Sequence, residues 1–137
     1  MSFYTAGFFY QALLASDVNT EVDGRIFSTD RTTEEAKEDR IPYIVINDMG
    51  GQNQASDKDE DEGDYDSVTI ELMAVADTSE ALADLCTDIR EVIKDAKCQE
   101  KIEHSPISYS ISFSPVEYDR EKDCYYRVLI YNCDTNR

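Results

Sequence analysis

Between residues 78 and 95 the chain carries one continuous apolar stripe. Leu82, Leu85, Cys86, Ile89, Val92 and Ile93 recur at steps of three and four. Glu80, Asp84, Asp88, Arg90, Glu91, Lys94 and Asp95 fall mostly on the other side. That spacing predicts a helix that must bury one face against a partner layer. Asp77 followed by Glu80 fits a capping box, with Asp in place of the usual Ser or Thr. The flanks supply the partner. In residues 67–76, Val68, Ile70, Leu72, Ala74 and Ala76 alternate onto one face, while Met73 and Val75 make the other face apolar near its end. Downstream, Ile107, Tyr109, Ile111 and Phe113 alternate with Ser108, Ser110, Ser112 and Ser114, the pattern of a half-buried strand.

The remaining elements follow from the same rules. Residues 3–15 predict a helix, with Phe3, Ala6, Gly7, Tyr10, Leu13 and Leu14 at helical spacing and Phe8 and Phe9 widening the apolar face. A face that wide either sits in the core or is shared with another chain, so Phe8 and Phe9 are candidate contact residues. Asp23-Gly24 signals a turn before the short apolar pair Ile26-Phe27. Residues 29–40 read as a solvated stretch. Pro42 opens Tyr43-Ile44-Val45-Ile46, a strand expected to be buried on both faces. Residues 47–66 then read as a long polar loop at the tip of a hairpin, with Met49-Gly50-Gly51 as a turn. Residues 117–123 read as a charged turn, and Cys124 to Cys133 as the last strand. The order helix, three strands, helix, two strands predicts an α+β fold: a mixed, mainly antiparallel sheet packed against two helices. At 137 residues, one domain spanning 1–137 is the default.

Charge narrows the functions. The formal net charge is −17, from 30 acids against 13 Lys and Arg. A surface that negative repels DNA, RNA and anionic membranes, so sequence-specific nucleic-acid binding is not expected. No apolar run approaches the roughly 20 residues that span a bilayer. The N-terminal stretch lacks the basic start of a signal peptide. Cys86, Cys98, Cys124 and Cys133 include no C-x-x-C pair, which speaks against zinc-ribbon and thioredoxin readings. Cys86 lies on the helix stripe and is expected in the core. Cys124 and Cys133 are nine residues apart on one strand and point to opposite faces. Reduced thiols and folding in a cytoplasm are the expectation.

No constellation for chemistry emerges. His104 is the only histidine, which excludes two-histidine metal sites within one chain. Nucleotide-binding glycine motifs are absent. The acidic loop holds Asp57, Asp59, Glu60, Asp61, Glu62, Asp64 and Asp66 against Lys58. Counted as a calcium loop from Asp57, it places Glu62 where Gly is needed and Val68 where Glu is needed. It therefore reads as a solvated, self-repelling element, and Asp57, Asp59, Glu60, Asp61, Glu62 and Asp64 are candidate interaction residues rather than ligands. No catalytic residue, cofactor or metal is assigned.

Several segments together resemble a known family. Gly24-Arg25-Ile26-Phe27, Pro42-Tyr43-Ile44-Val45-Ile46, Val68-Thr69-Ile70-Glu71-Leu72 running into the helix Ser79 to Lys94, and the late Tyr126-Arg127-Val128 are similar to the tail-terminator and tail-completion proteins of long-tailed bacteriophages. These include the minor tail protein U type and the tail-component family with a "GRI…PY-V" signature. The resemblance covers roughly residues 3–131. It implies an α+β subunit without enzymatic activity or cofactor. It also implies a homo-oligomeric ring, commonly a hexamer, that caps the tail tube and meets the head–tail connector of a phage or prophage virion assembled in the bacterial host cytoplasm. In that family the hairpin loop is often mobile until the ring forms. The polar insert at 28–40 and the extreme acidity of the loop depart from the pattern. An acidic lining would let DNA slide without sticking.

Two other readings compete. One is an acidic protein-binding module, including a DNA mimic that occupies a basic protein. The other is a small enzyme working through carboxylates, which requires a concave, partly apolar pocket with convergent acids.

Overall fold

A computed structural model of the chain describes residues 5–28, 40–53, 65–99 and 102–136. Three helices and six strands are present among them: α1 Thr5–Leu14, α2 Asp17–Glu21, β1 Ile26–Ser28, β2 Tyr43–Asn53, β3 Tyr65–Ala76, α3 Ser79–Gln99, β4 Ser108–Phe113, β5 Glu117–Asp119 and β6 Cys124–Asn136. The strands form one sheet in the order β1-β2-β3-β6-β4, and β5 also pairs with β6. Only β1 and β2 run parallel; the other pairs are antiparallel. This is a single small α+β domain with a mixed sheet, as the pattern of elements predicts.

Strand alternation divides the sheet into two faces. One face sends Ile26, Ile44, Ile46, Ile70, Leu72, Ala74, Leu129, Tyr131 and Cys133 into the main core. There they meet Phe8, Phe9 and Leu13 of α1 and Leu82, Leu85, Cys86, Ile89 and Ile93 of α3. Phe9 packs on Tyr131 with ring centroids 4.9 Å apart, and Tyr131 on Tyr109 at 5.2 Å. The opposite face carries a smaller apolar cluster of Phe27, Tyr43, Val45, Val75 and Cys124 at one end. Its other end is polar. There Asp134 accepts from Ser67 of β3 (3.0 Å) and Ser108 of β4 (3.2 Å), tying β6 to both neighbours.

Several local expectations change. The helix cap is Thr78, not Asp77: its Oγ1 accepts from the Ala81 amide at 3.1 Å. With the helix starting at Ser79, Glu80 is one position too early to reach back, so no capping box forms. A short α2 adds to the two helices that periodicity predicts. Ser16 caps it, accepting from the Val18 amide at 3.2 Å. It ends where Asp23 and Gly24 turn left-handed (φ +52° and +76°) and the Gly24 amide closes on the Asn19 carbonyl at 2.9 Å. The proposed loop at 47–66 is shorter at both ends, since 47–53 and 65–66 pair as strand. Met49-Gly50-Gly51 is a bulge inside β2 rather than a terminal turn. Gly50 takes φ +79°, and the Asp48 carboxylate accepts from its amide at 2.8 Å. A Cβ at Gly51 would collide with the Ser67 carbonyl, so only glycine lets β2 and β3 stay paired beyond the bulge. Finally, Glu117–Asp119 continues the β4 edge past Pro115 instead of forming only a turn. The Ser114 amide bridges the gap by donating to the Val128 carbonyl at 2.9 Å.

Cys86, Cys124 and Cys133 are buried and Cys98 is exposed, all four as free thiols. Cys124 and Cys133 lie in different apolar clusters, on opposite sheet faces as their spacing requires. Burial pushes the Cys86 thiol up and the Cys133 thiol up to about 12, which suppresses the reactive thiolate. A thiol reagent should therefore modify one cysteine per native chain, Cys98, and all four after denaturation. Ile89→Ala, at a fully buried site, should cost about 2–5 kcal/mol in urea unfolding. Thr78→Ala should cost about 1 kcal/mol through the lost cap, with the denaturant slope unchanged in both.

Candidate functional site

Phe8 and Phe9 are both fully buried, packed edge-to-face with centroids 5.3 Å apart. Of the two alternatives open to the wide face of α1, they take the core, and neither presents surface to a partner. Helical spacing alone could not separate these outcomes, because a core and an interface select the same side chains. Asp57, Asp59, Glu60, Asp61, Glu62 and Asp64 lie outside the described residues. The strands on either side of them are described up to Asn53 and from Tyr65.

The surface that stands out lies at the other edge of the sheet. Five large apolar side chains are exposed among the described residues, and four of them follow the β4–β5 edge: Ile107, Phe113, Val116 and Tyr118. The fifth is Met49 in the β2 bulge. Alternation with serine predicted burial for Ile107 and Phe113, yet each is 54% exposed. Only Tyr109 and Ile111, in the middle of β4, pack against the main core. β4 is the terminal strand, and its ends run past the cover of α3. Being terminal among the described strands, it also offers a row of backbone groups with no ladder partner from the described residues on its outer side. Phe113 is capped by two guanidinium groups, with Arg127 Cζ 5.3 Å and Arg90 Cζ 6.0 Å from its ring centre. Tyr118 donates to the Asp123 carboxylate at 2.5 Å, which holds the β5–β6 turn.

A second feature joins α2 to α3. Ala15, Ser16, Asp17, Val18, Glu21, Asp88, Glu91 and Val92 line an open hollow of about 570 Å³. Partial desolvation, then a hydrogen bond with Asp88 and the charges of Asp88, Asp17 and Asp84, push the Glu21 carboxyl up to about 7. This hollow is partly apolar and gathers acids, the arrangement a carboxylate enzyme requires. Two properties argue against that use. A hydrogen-bonded Glu21–Asp88 pair is closer than the roughly 5–9.5 Å separation of paired glycosidase carboxylates. The hollow is also open to water, and Glu21 itself is exposed. Among the described residues no group of three or more His, Cys, Asp or Glu is placed to hold a metal ion. His104 sits in the turn after α3, its Nε2 3.9 Å from a Glu103 carboxylate oxygen. No helix of the described residues is long and apolar enough to cross a membrane.

The parts of the resemblance that lie nearest the N-terminus meet in space. β1 and β2 run side by side with Ile26 opposite Ile44 and Phe27 opposite Val45. Arg25 Nε donates to the Pro42 carbonyl at 3.0 Å, and the Ile44 amide donates to the Arg25 carbonyl at 3.0 Å.

The raised Glu21 pKa predicts a pH effect with a definite sign. Between about 4.5 and 7 the folded chain holds a proton at Glu21 that the unfolded chain has released. This contribution to stability is therefore full below about 4.5 and lost as pH rises through about 7. Glu21→Gln should stabilise the protein relative to wild type at pH 8, by at most about 1 kcal/mol given the exposure of the pair. The difference should vanish at pH 4, as followed by thermal melts at both pH values.

Compared with protein-family profiles and with curated protein sequences, the chain matches none.

Proposed function

We propose that this chain is a structural assembly protein of the phage tail-terminator kind. It self-associates into a ring, commonly of six subunits in such proteins, that closes a tail tube and joins it to the head. The observation that carries the reading is the β4–β5 edge. Ile107, Phe113, Val116 and Tyr118 form an exposed apolar row along the terminal strand edge of the described sheet, in a chain whose charge otherwise favours full solvation. Edges of this kind pair with other chains unless something blunts them. The contact between Arg25 and Pro42 adds support, because it gives the segments of the "GRI…PY-V" resemblance a shared structural role.

On this reading the protein binds and assembles and does no catalysis. Its neighbours are other copies, the tail tube and the connector, and its place is the virion tail after assembly in the host cytoplasm. A charge of −17 per subunit opposes ring closure, so added salt or magnesium should favour it by screening.

Native mass spectrometry and negative-stain microscopy test this directly. Concentration-dependent closed rings are expected, more abundant at higher salt. Ile107→Ser with Val116→Ser should reduce ring formation while leaving the urea midpoint nearly unchanged, since both sites are exposed. A protein that stays monomeric at high concentration through a salt and magnesium series would count against self-assembly. Retention of a basic DNA-binding protein, displaced by DNA, would instead favour the acidic binding module.

A further inference from the structure

Between α3 and β4 lies a groove of about 240 Å³. Arg90, Glu91 and Lys94 of α3 line one wall, Tyr109 and Ile111 of β4 the other, and the buried Tyr131 of β6 the floor. Arg90 and Lys94 are four residues apart and so lie one above the other on the helix. Arg127 adds a third cation close by: it and Arg90 share the Phe113 ring, with their Cζ atoms 5.3 Å and 6.0 Å from its centre. Burial pushes the Tyr109 and Tyr131 hydroxyls up, so both stay neutral and able to donate.

These cations lack what the rest of the chain has in excess. Acids outnumber Lys and Arg by 30 to 13, yet among the described residues Arg90, Lys94 and Arg127 make no ion pair. Glu91 is the one carboxylate lining the groove among the described residues. Arg127 Nε is a buried donor with no acceptor among them. A buried guanidinium N–H without an acceptor costs free energy, and an oxyanion drawn in between Arg90 and Arg127 would supply one. The donors are also of the kind that grips oxyanions: a guanidinium fork at Arg90, an ammonium at Lys94, and phenol hydroxyls on an apolar base.

We propose that this groove is a binding site for a small, multiply charged oxyanion: a phosphate group or a compact polycarboxylate. Size and charge set that class. A volume of 240 Å³ suits a small molecule, since it equals the liquid share of roughly eight waters. Three cations set against one acid call for more than one negative charge on the ligand. Nucleic acid carries the right group, but it would lay further phosphates over a surface of net charge −17. A small anion brings only its own charge. Repulsion from acids more than about 8 Å away is largely screened at physiological salt, so the nearby cations decide. The inference goes beyond the ring reading and does not depend on it, because the groove lies within one subunit.

Isothermal titration calorimetry on the full chain tests the site. Inorganic phosphate and citrate are titrated separately at pH 7, with chloride adjusted to hold ionic strength constant. Saturable binding of at least one of them is expected. Arg90→Gln with Lys94→Gln should weaken it about tenfold or more, through the lost charge-assisted contacts. Lys94→Gln alone, at an exposed site, should give a smaller loss in the same direction. Arg120→Gln removes an exposed cation from the β5–β6 turn and should leave binding unchanged within about twofold. Circular dichroism verifies that each variant folds. Saturation by phosphate alone would make the ligand a phosphate group, and saturation by citrate alone a polycarboxylate. Absence of saturable binding with both anions would overturn the proposal. So would equal affinity in wild type and the folded Arg90 and Lys94 variants. Sedimentation velocity on the same samples reads the ring separately: a monomer that binds phosphate would remove the ring reading and leave this one.

Discussion

The β3–β6 ladder is the constraint on which the other elements depend. It pairs the two strands without a register break from Tyr65 opposite Asn136 to Ala76 opposite Tyr125. Because strand side chains alternate, that register decides at once which residues of both strands face the helices. Ile70, Leu72 and Ala74 come into line with Leu129, Tyr131 and Cys133 on one side, and α3 has a continuous apolar floor to cover. A slip by one residue would turn Glu71 and Asn132 inward and send Leu72 and Tyr131 to the other face. β2 pairs on one side of this ladder and β4 with β5 on the other, so both inherit its register.

The same ladder explains why the two edges differ. On the β2 side the sheet is extended by β1, and the Arg25–Pro42 contact fastens that extension. On the β6 side it ends at β4, which Ser114 and Pro115 interrupt before β5 resumes. Of the β4 side chains only the central Tyr109 and Ile111 pack against the core under α3. The ends of that edge are left apolar and exposed, and the space between helix and edge becomes the groove that holds Arg90 and Lys94. An exposed apolar edge and its neighbouring charges thus follow from where one helix stops covering a sheet.

Charge has a different part from packing here. Most of the acids among the described residues are exposed, where they raise solubility and weaken self-contact. The pairing of Glu21 with Asp88 shows the cost of crowding them. A carboxyl near two helices and three other acids keeps its proton to near neutral pH. In such a chain, Arg90, Lys94 and Arg127, which make no ion pair among the described residues, are the exception.

Much of the fold was legible in the residues. The 82–93 stripe, the alternation of 68–76 and the β-branched run at 43–46 each reflect a period that the backbone geometry imposes, so they predict helix, strand and buried strand without a partner in view. The opposite facing of Cys124 and Cys133 follows from the same arithmetic. What the sequence could not decide was anything set by position in the sheet. Tyr109 and Ile107 have the same alternation, yet one is packed and the other bare, because burial depends on how far α3 reaches. The wide apolar face that holds Phe8 and Phe9 allows a core or an interface, and only packing against Tyr131 resolves it. Met49-Gly50-Gly51 carried the signature of a turn and became a bulge, because β3 continued to pair beside it. Composition and period are local and the chain alone determines them; register, coverage and the meeting of Arg90 with Arg127 over Phe113 join residues distant in sequence, and only the tertiary structure brings them together.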